Sequence, residues 1–176
     1  MSSEGAHPAR VVVLRHGPAE TRDPARWPDD GERPLSRKGT QQTRRVAAGL
    51  ARLLSGVSCV ATGPALRARR TAEIVGRAVS PPRRPELWRE LDGGRPVAEI
   101  FPRLRRATGA HRTVVLVGHE PSCAEFLGVA LTGEEVAFTR LTKGGAACLE
   151  FPRAVRPGSA RLLWLLTRRQ LAGTDG

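Results

Sequence analysis

The 176-residue sequence predicts an α/β fold, a three-layer α/β/α sandwich around a mainly parallel sheet of about six strands with an antiparallel edge. Two observations lead to this prediction. Short apolar runs rich in valine alternate with amphipathic segments, which is the pattern of strands joined by helices. The last two apolar runs, at 145–151 and 160–167, are joined only by the turn-rich stretch 152–158. They therefore predict an antiparallel hairpin at one edge of the sheet.

Each element follows from local composition. The strands are apolar, β-branched runs, and the helices carry apolar residues at three- and four-residue spacing. Ser36 is a suitable N-cap for the first helix, the proline-rich stretch 81–85 ends the second, and Pro121 suits the first turn of the fourth. In chain order we expect a strand at 10–15, a polar loop at 17–35, a helix at 36–54, a strand at 57–61, a helix at 65–79, a short strand at 86–88, a helix at 97–107, a strand at 113–117, a helix at 122–131 and the final hairpin.

Length and composition are those of a globular protein with one domain. A chain of 176 residues can bury a sizeable core, and its apolar fraction is ordinary. We expect a flexible leader at 1–9, a single domain at 10–170 and a tail at 171–176. No apolar run is long enough to span a bilayer, and the N-terminus lacks the layout of a secretory signal. The default expectation is a cytoplasmic protein that does not enter membranes.

The formal net charge of +12 raises the question of a nucleic-acid ligand. The basic residues are scattered, and apart from Lys38 and Lys143 they are all arginine. Aromatic residues make up only 4% of the chain, so stacking platforms for bases are sparse. A basic surface still favours an acidic or phosphorylated partner. Nucleic-acid binding is therefore the minority hypothesis.

The three cysteines, Cys59, Cys123 and Cys148, cannot all pair, and their spacing matches no zinc motif. Cys59 and Cys148 fall in predicted strands, where a thiol acts as a small apolar side chain. Cys123 follows His119 closely enough to line the mouth of a site, but nothing in the sequence marks it as a nucleophile. We expect free thiols and no bound metal.

Two predicted strands end in a histidine. The run 11–14 leads directly into Arg15-His16-Gly17, and the run 113–117 leads into Gly118-His119. Ligands of open α/β sheets bind at the carboxyl ends of parallel strands, so both imidazoles are expected at one site. The second strand adds a cation there, because Arg67 lies at the start of the following helix. Helix N-termini and arginine forks bind phosphate, so these segments predict an oxyanion site.

These residues resemble the histidine phosphatase superfamily, which has the phosphoglycerate-mutase-like fold. Arg15-His16-Gly17 is the family hallmark, Arg67 matches the arginine of its Arg-Ala-x-x-Thr-Ala element, and His119 matches its second histidine. The start of the first helix also matches, with Arg33-Pro34-Leu35-Ser36-x-x-Gly39-x-x-Gln42. The short length, together with the segment 137–146, resembles the SixA-type phosphohistidine phosphatases.

The resemblance implies a mechanism. Neutral His16 attacks phosphorus, and water hydrolyses the phosphohistidine intermediate. Arg15, Gly17, Arg67 and His119 hold the phosphoryl group, with His119 protonated, and no metal or cofactor is needed. Many relatives place a glutamate after the third strand as general acid. Here Glu90 or Asp92 could take that role, and Glu90 could equally be a capping or surface carboxylate.

The expected activity is metal-independent hydrolysis of phosphohistidine on a protein, for example on a histidine phosphotransfer domain. A weak general acid favours this substrate, because its leaving imidazole is less basic than an alkoxide. A small-molecule phosphomonoesterase with the same site is the alternative, with a small phosphoester as partner. A phosphate- or nucleic-acid-binding module is the non-enzyme alternative. Outside these motifs, His7 and His111 are expected on the surface, and Glu120 in a structural role.

Overall fold

The computed structural model describes residues 8–108 and 112–173. The strands are β1 Ala9–Arg15, β2 Val57–Thr62, β3 Glu86–Leu87, β4 Thr113–Gly118, β5 Ala146–Phe151 and β6 Arg161–Leu166. The α-helices are α1 Arg37–Leu53, α2 Leu66–Val79, α3 Ile100–Thr108, α4 Ser122–Thr132 and α5 Arg168–Ala172. Short 3-10 turns lie at Asp30–Glu32, Arg89–Leu91 and Val97–Glu99.

The strands form one six-stranded sheet in the order β3-β2-β4-β1-β5-β6. The pairs β1–β4, β2–β4 and β2–β3 are parallel. The pairs β1–β5 and β5–β6 are antiparallel. The predicted architecture, a mainly parallel sheet with an antiparallel edge, is confirmed. Because β1 and β4 are adjacent and parallel, their carboxyl ends lie side by side, with Arg15 opposite Gly118.

Both faces of the sheet are covered, which explains why the central strands are almost entirely apolar. On β1, Val12 and Leu14 pack with the helices α1, α2 and α5 on one side. Val11 and Val13, which alternate with them, pack with α3 and α4 on the other side. All four side chains are at most 3% exposed. The buried strand therefore holds the residues that follow Leu14 in a fixed position.

Several boundaries differ from the expectation. Helix α5 was not predicted, and it buries Leu171 to 2% exposure, so the ordered fold continues past the expected start of the tail. β1 likewise begins at Ala9, inside the expected leader. The segment 97–107 divides into a 3-10 turn and α3. Residues 1–7, 109–111 and 174–176, and with them His7 and His111, lie outside the described residues.

All three cysteines are free, as predicted, and all three are buried. Burial raises the pKa of Cys59 and of Cys148 to about 11, and it raises the pKa of Cys123 further. Cys123 does not line a site mouth, since it is 3% exposed and packs in the core beside Val13 and Phe126. None of the three is a ready nucleophile at neutral pH.

Within the described ranges, no helix is both long enough and apolar enough to cross a membrane.

Candidate active site

His16 follows the last residue of β1 and is only 5% exposed. Its backbone N–H donates to the carbonyl of Gly118 on β4 at 2.9 Å, which continues the sheet pairing by one residue. Its ring Nδ1 lies 2.7 Å from the carbonyl oxygen of Gly17, which can only accept, so Nδ1 carries the proton. Nε2 then keeps its lone pair in the neutral ring. Strand pairing and one backbone hydrogen bond thus fix both the position and the tautomer of His16.

Arg67 lies in the first turn of α2 and faces the same imidazole. Its Nε donates to His16 Nε2 at 3.3 Å, so the lone pair of His16 points toward the guanidinium group. The rest of the group is held by Asp30, whose carbonyl accepts from Nη1 at 2.7 Å and whose Oδ2 lies 3.1 Å from Nη2. The side chain of Arg67 is 11% exposed. Sequence reasoning identified Arg67 but missed Asp30, which lies in the polar loop 37 residues earlier.

Asp30 is itself held by a second arginine. Arg33 Nε donates to Asp30 Oδ1 at 2.8 Å, and this hydrogen bond, with the nearby charge of Arg67, lowers the pKa of Asp30. The carboxylate is therefore ionised at neutral pH and faces two guanidinium groups at once. Arg33 is the first residue of the Arg-Pro-Leu-Ser motif, and its contact with Asp30 gives that residue of the motif a structural role. It anchors the residue that orients Arg67.

Arg15 is placed by the loop that precedes β5. Its Nη1 donates to the carbonyl of Leu141 at 2.8 Å, and the amide of Leu141 donates to Glu120 Oε1 at 2.7 Å. The other oxygen of Glu120 accepts from the Ala124 amide in α4. Glu120 thus has the structural role expected for it, since it connects α4 to the loop that holds Arg15. Arg15 Nε is buried without a hydrogen-bond partner among the described residues.

A threonine that sequence reasoning did not single out connects α2 to the end of β1. Thr71 Oγ1 accepts from the amide of Gly17 at 3.0 Å and donates to the carbonyl of Arg67 at 2.8 Å. It is the threonine of the Arg-Ala-x-x-Thr-Ala element, so the motif itself was the signal. Gly17 has no room for a side chain, because a Cβ there would overlap Thr43 Oγ1 of α1. α1, α2 and β1 therefore meet tightly behind His16.

His119 follows β4 and is partly buried. Its Nδ1 is buried and has no hydrogen-bond partner among the described residues. The loop after the 3-10 turn Arg89–Leu91 lies against its other nitrogen, since a Cβ added to Gly93 would contact His119 Nε2. Asp92, the residue before Gly93, is exposed, and its charge opposes the burial that lowers the pKa of His119. The site thus has an imidazole on each of two adjacent strands and a carboxylate beside the second.

Glu90 pairs with an arginine of α3. Its Oε2 accepts from Arg103 Nη1 of α3 at 3.1 Å, and the same guanidinium group lies 4.8 Å from the centre of the Trp88 ring. An ion pair with α3 holds the carboxylate in place, with 25% of the side chain exposed. The geometry therefore favours the structural interpretation of Glu90 over the general-acid interpretation. Of the two carboxylates considered, Asp92 is the one near His119.

The site is strongly positive and favours neutral imidazoles. Burial, with the nearby charges of Arg67, Arg15 and His119, lowers the pKa of His16 to about 3, although its hydrogen bond to Gly17 opposes the shift. Burial and the charge of Arg67 also lower the pKa of His119, which Asp92 and Glu120 partly offset. Both rings are therefore neutral near pH 7 in the ligand-free protein. Two guanidinium groups, one of them oriented by Asp30, lie beside an imidazole lone pair, so they can bind a phosphoryl group that the imidazole attacks.

Comparisons with known proteins agree with this arrangement. The profile described as histidine phosphatase superfamily (branch 1) matches residues 11–99. An uncharacterized protein of Picosynechococcus sp. (strain ATCC 27264 / PCC 7002 / PR-6) is 34% identical over 153 residues, which cover 86% of this chain and 87% of that protein.

Two solved structures show the same fold. The protein histidine phosphatase SixA in complex with tungstate superposes with a TM-score of 0.79 and 24% identity, over 92% of this chain and 99% of that one. A proposed phosphohistidine phosphatase SixA from Agrobacterium tumefaciens has a TM-score of 0.66 and 25% identity, over 90% and 97% of the two chains. The fold of this chain is thus shared with known structures.

Proposed function

The chain belongs to the histidine phosphatase superfamily, and we propose that it is a metal-independent protein phosphohistidine phosphatase that acts through a phosphorylated His16. Family membership and the SixA-like structure support phosphatase activity. The substrate, the order of the chemical steps and the roles of single residues are our proposal. One observation carries it: the free lone pair of His16 Nε2 faces the Arg67 guanidinium group, while Gly17 holds the other ring nitrogen.

In the first step, His16 Nε2 attacks phosphorus. The new P–N bond forms as the bond to the leaving imidazole breaks, and His119, protonated as substrate binds, gives its proton to the leaving nitrogen. A pKa of about 3 keeps His16 neutral and nucleophilic at neutral pH. The Nδ1–H bond to Gly17 then stabilises the positive charge that develops on the ring. The reaction thus proceeds in two steps through an intermediate, and each step has a lower barrier than a single direct displacement by water.

Arg67 and Arg15 stabilise the negative charge on the phosphoryl oxygens. Arg67 Nε already lies within hydrogen-bond distance of the attacking nitrogen, so an oxygen of the bound phosphoryl group reaches the same fork. A phosphate dianion also raises the pKa of a neighbouring imidazole, which favours protonation of His119 as substrate binds. In the second step water attacks phosphorus, its proton passes to an acceptor such as His119, and inorganic phosphate leaves with His16 restored.

The surroundings of Glu90 support a phosphohistidine substrate. Glu90 is held by Arg103, which supports a structural role for it over that of a proton donor to a departing alkoxide. An imidazole leaving group is less basic and needs less help from a general acid. The phosphohistidine phosphatase assignment proposed for the Agrobacterium tumefaciens relative, at 25% identity, points the same way. The partner would be a phosphorylated protein such as a histidine phosphotransfer domain.

A small-molecule phosphomonoesterase is the second candidate, and Asp92 is the observation that favours it. Burial lowers the pKa of His119, and the charge of Asp92 opposes that shift, so Asp92 favours a protonated His119 that could protonate an alkoxide. The two candidates share the nucleophile and the phosphate-binding arginines. They differ in which leaving groups depart quickly.

A substrate panel separates the candidates. Phosphohistidine peptide, phosphoserine peptide, a sugar phosphate and an aryl phosphate are compared by kcat/KM, each with and without chelator. We expect phosphohistidine to exceed phosphoserine by about tenfold or more because of its better leaving group. We expect no effect of chelator, because the nucleophile is an imidazole and guanidinium groups bind the phosphate. His16→Ala should lose roughly 10³-fold or more on every substrate.

The control is His7→Ala, which removes a histidine outside the motifs and should turn over normally. Preference for the sugar phosphate would overturn the protein substrate in favour of the second candidate. Loss of activity with chelator would contradict the metal-independent mechanism. Undiminished turnover by folded His16→Ala would contradict the assignment of His16 as nucleophile.

A further inference from the structure

The site formed by Arg15, His16, Arg67 and His119 is called the catalytic cup below. A basic groove of about 780 Å³ lies outside it, between α2 and the segment 80–85. One wall is the face of α2 that carries Arg69, Glu73 and Arg77, which recur at helical spacing. The opposite wall is the proline-rich segment with Arg83 and Arg84. The groove ends at Thr62 and Leu87, at the edge of the sheet. The catalytic mechanism uses none of these residues.

The arginines of the groove are largely without partners. Arg77, Arg83 and Arg84 are exposed, and none of them forms an ion pair within the described residues. Arg69 lies 4.0 Å from Glu32, a distance at the limit of an ion pair. The one carboxylate on the α2 wall, Glu73, is occupied by Arg70 at 2.9 Å. The groove therefore presents uncompensated positive charge on both walls.

The walls are built of segments with restricted backbones, although Arg77, Arg83 and Arg84 are exposed. Ser80 ends α2 in a left-handed conformation with φ of 49°, which turns the chain back along the helix. Three of the following residues, Pro81, Pro82 and Pro85, have restricted backbones. Pro85 packs directly on Gly76 of α2, where an added Cβ would lie 3.1 Å from its ring. The groove thus keeps its shape without a ligand, which lowers the entropy lost on binding.

The groove begins beside the catalytic cup. Arg67 occupies the first turn of α2 and Arg77 its last, so at 1.5 Å per residue the helix carries the groove roughly 15 Å away from the phosphate-binding arginine. Arg69, near the start of the groove, contacts Glu32 in the same 3-10 turn as Asp30. A protein segment of about five extended residues would span this length.

We propose that this groove binds an acidic segment of the phosphorylated protein while its phosphohistidine occupies the cup; this rests on the proposed function. Charge complementarity selects the ligand: three arginines without ion pairs face each other across a stiff, open trough. No aromatic side chain lines the groove, so it lacks the stacking surface that single-stranded nucleic acid uses. The cationic groups are exposed rather than buried and preorganised, which suits a solvated peptide better than a small anion.

The first test measures binding alone. A fluorescein-labelled peptide of about five glutamates, a length matched to the groove, is titrated with the full-length protein by fluorescence anisotropy. The variant Arg77→Gln/Arg83→Gln/Arg84→Gln should raise Kd by about tenfold at low salt, and less at high salt. The control Arg105→Gln/Arg106→Gln/Arg153→Gln removes the same charge from exposed positions outside the groove and should change Kd much less.

Equal weakening by both variants would overturn the proposal, because only net charge would then matter. An unchanged Kd in the groove variant would also overturn it. A single-stranded oligonucleotide of matched charge is titrated in parallel. If it bound the groove far more tightly than the peptide, the acidic-protein assignment would fall in favour of a nucleic acid.

The second test measures catalysis with two phosphohistidine peptides that differ only in an acidic or a neutral flanking segment. The wild-type protein should prefer the acidic peptide in kcat/KM by about tenfold, mostly through KM. The groove variant should lose that preference while it hydrolyses an aryl phosphate at the wild-type rate, because its substitutions lie outside the cup. If the groove variant kept its preference for the acidic peptide, the proposed role of the groove would be contradicted. Failure to hydrolyse either peptide, with normal aryl phosphate turnover and specific peptide binding, would support the groove and overturn the proposed substrate.

Discussion

The two sides of the cup are built differently. On the nucleophile side, defined by His16, Arg67 and Asp30, each side chain has a specified partner, and His16 and Arg67 have little exposure, although the side chain of Asp30 is 36% exposed. On the leaving-group side, defined by His119, Asp92 and Glu90, His119 Nδ1 has no hydrogen-bond partner within residues 8–108 and 112–173, Asp92 is exposed, and Glu90 pairs with Arg103. The nucleophile side is thus preorganised for a phosphoryl group whatever its source.

The difference assigns separate tasks to the two sides. Preorganised donors act on the phosphoryl group, which is common to all substrates of such a site, so their removal should harm every reaction. Groups on the open side meet the part of the substrate that varies. Changes there should alter the ranking of substrates more than the overall rate. The predictions below test this division, from the largest expected effect to the smallest.

Arg67→Gln should give the largest loss, roughly 10²–10³-fold in kcat/KM on all substrates, because it removes a preorganised donor from the developing negative charge. Steady-state kinetics on an aryl phosphate and a phosphohistidine peptide provide the measurement. Arg70→Gln, on the same helix but 59% exposed and paired with Glu73, is the matched control and should be nearly neutral. A loss confined to one class of substrate would break the proposed division between the two sides.

The stability of the fold should depend on pH through His16. Its pKa of about 3 in the folded protein lies below the value of 6.5 for free histidine, so as pH falls below 6.5 the unfolded chain gains a proton first. The resulting destabilisation is absent above pH 6.5 and grows down to about pH 3. Between pH 7 and pH 5 it amounts to about 2 kcal/mol.

Urea unfolding at both pH values checks this prediction by comparing the wild-type protein with His16→Asn. The variant lacks the titrating group. As pH falls from 7 to 5, the free energy of unfolding of the wild-type protein should therefore fall by about 2 kcal/mol more than that of the variant. A gap that stays constant would show that His16 titrates normally in the folded protein. It would also remove the argument for a neutral nucleophile at low pH.

Asp30→Asn should lower kcat by about tenfold with KM unchanged or lower, because Arg67 would be less well oriented while a negative charge near the phosphate site is removed. Kinetics per folded molecule, with Tm measured alongside, separates orientation from stability. Asp29→Asn is the control, since Asp29 caps the same 3-10 turn through Gly31 and has no hydrogen bond to Arg67. An equal loss in both variants would assign the effect to the turn rather than to the contact with Arg67.

Glu90→Gln should have the smallest effect on turnover, within about threefold on any substrate, because the Glu90–Arg103 pair is structural and partly exposed. Asp92→Asn should matter more on a phosphoserine peptide than on phosphohistidine, since only the alkoxide needs a strong proton donor. The ratio of the two kcat/KM values for each variant is the measurement. A larger loss for Glu90→Gln than for Asp92→Asn would restore Glu90 as the general acid.

The structure brings His16 and Arg67 into contact, as expected from the sequence, because the signals that place them are local. Arg15-His16-Gly17 ends an apolar strand, and Arg67 opens a helix directly after another strand, so the parallel sheet brings them together. The sheet architecture could also be predicted, because the alternation of strands and helices is itself a local pattern. What remained hidden was Asp30, because its partner Arg67 is distant in sequence and the intervening loop has no periodicity that could orient it.

The other misses also arise from tertiary contacts. Glu90 was ambiguous because its true partner, Arg103, lies on the next helix, and only the packed structure shows the pairing. Helix α5 was missed because it has five residues and one buried apolar side chain, Leu171. Its capping box, Thr167 with Gln170, was the available signal. Short elements depend more on packing than on their own propensity, so they are the hardest to predict.

Identification of the phosphorylated residue tests the central claim most directly. The protein is mixed with excess aryl phosphate, quenched during turnover in alkali, where phosphohistidine survives, and digested for mass spectrometry. The account predicts a phosphoryl group on His16 in the wild-type protein and its absence, together with absent turnover, in His16→Ala. A phosphoryl group on His119 or on any other side chain, or sustained turnover without His16, would contradict it.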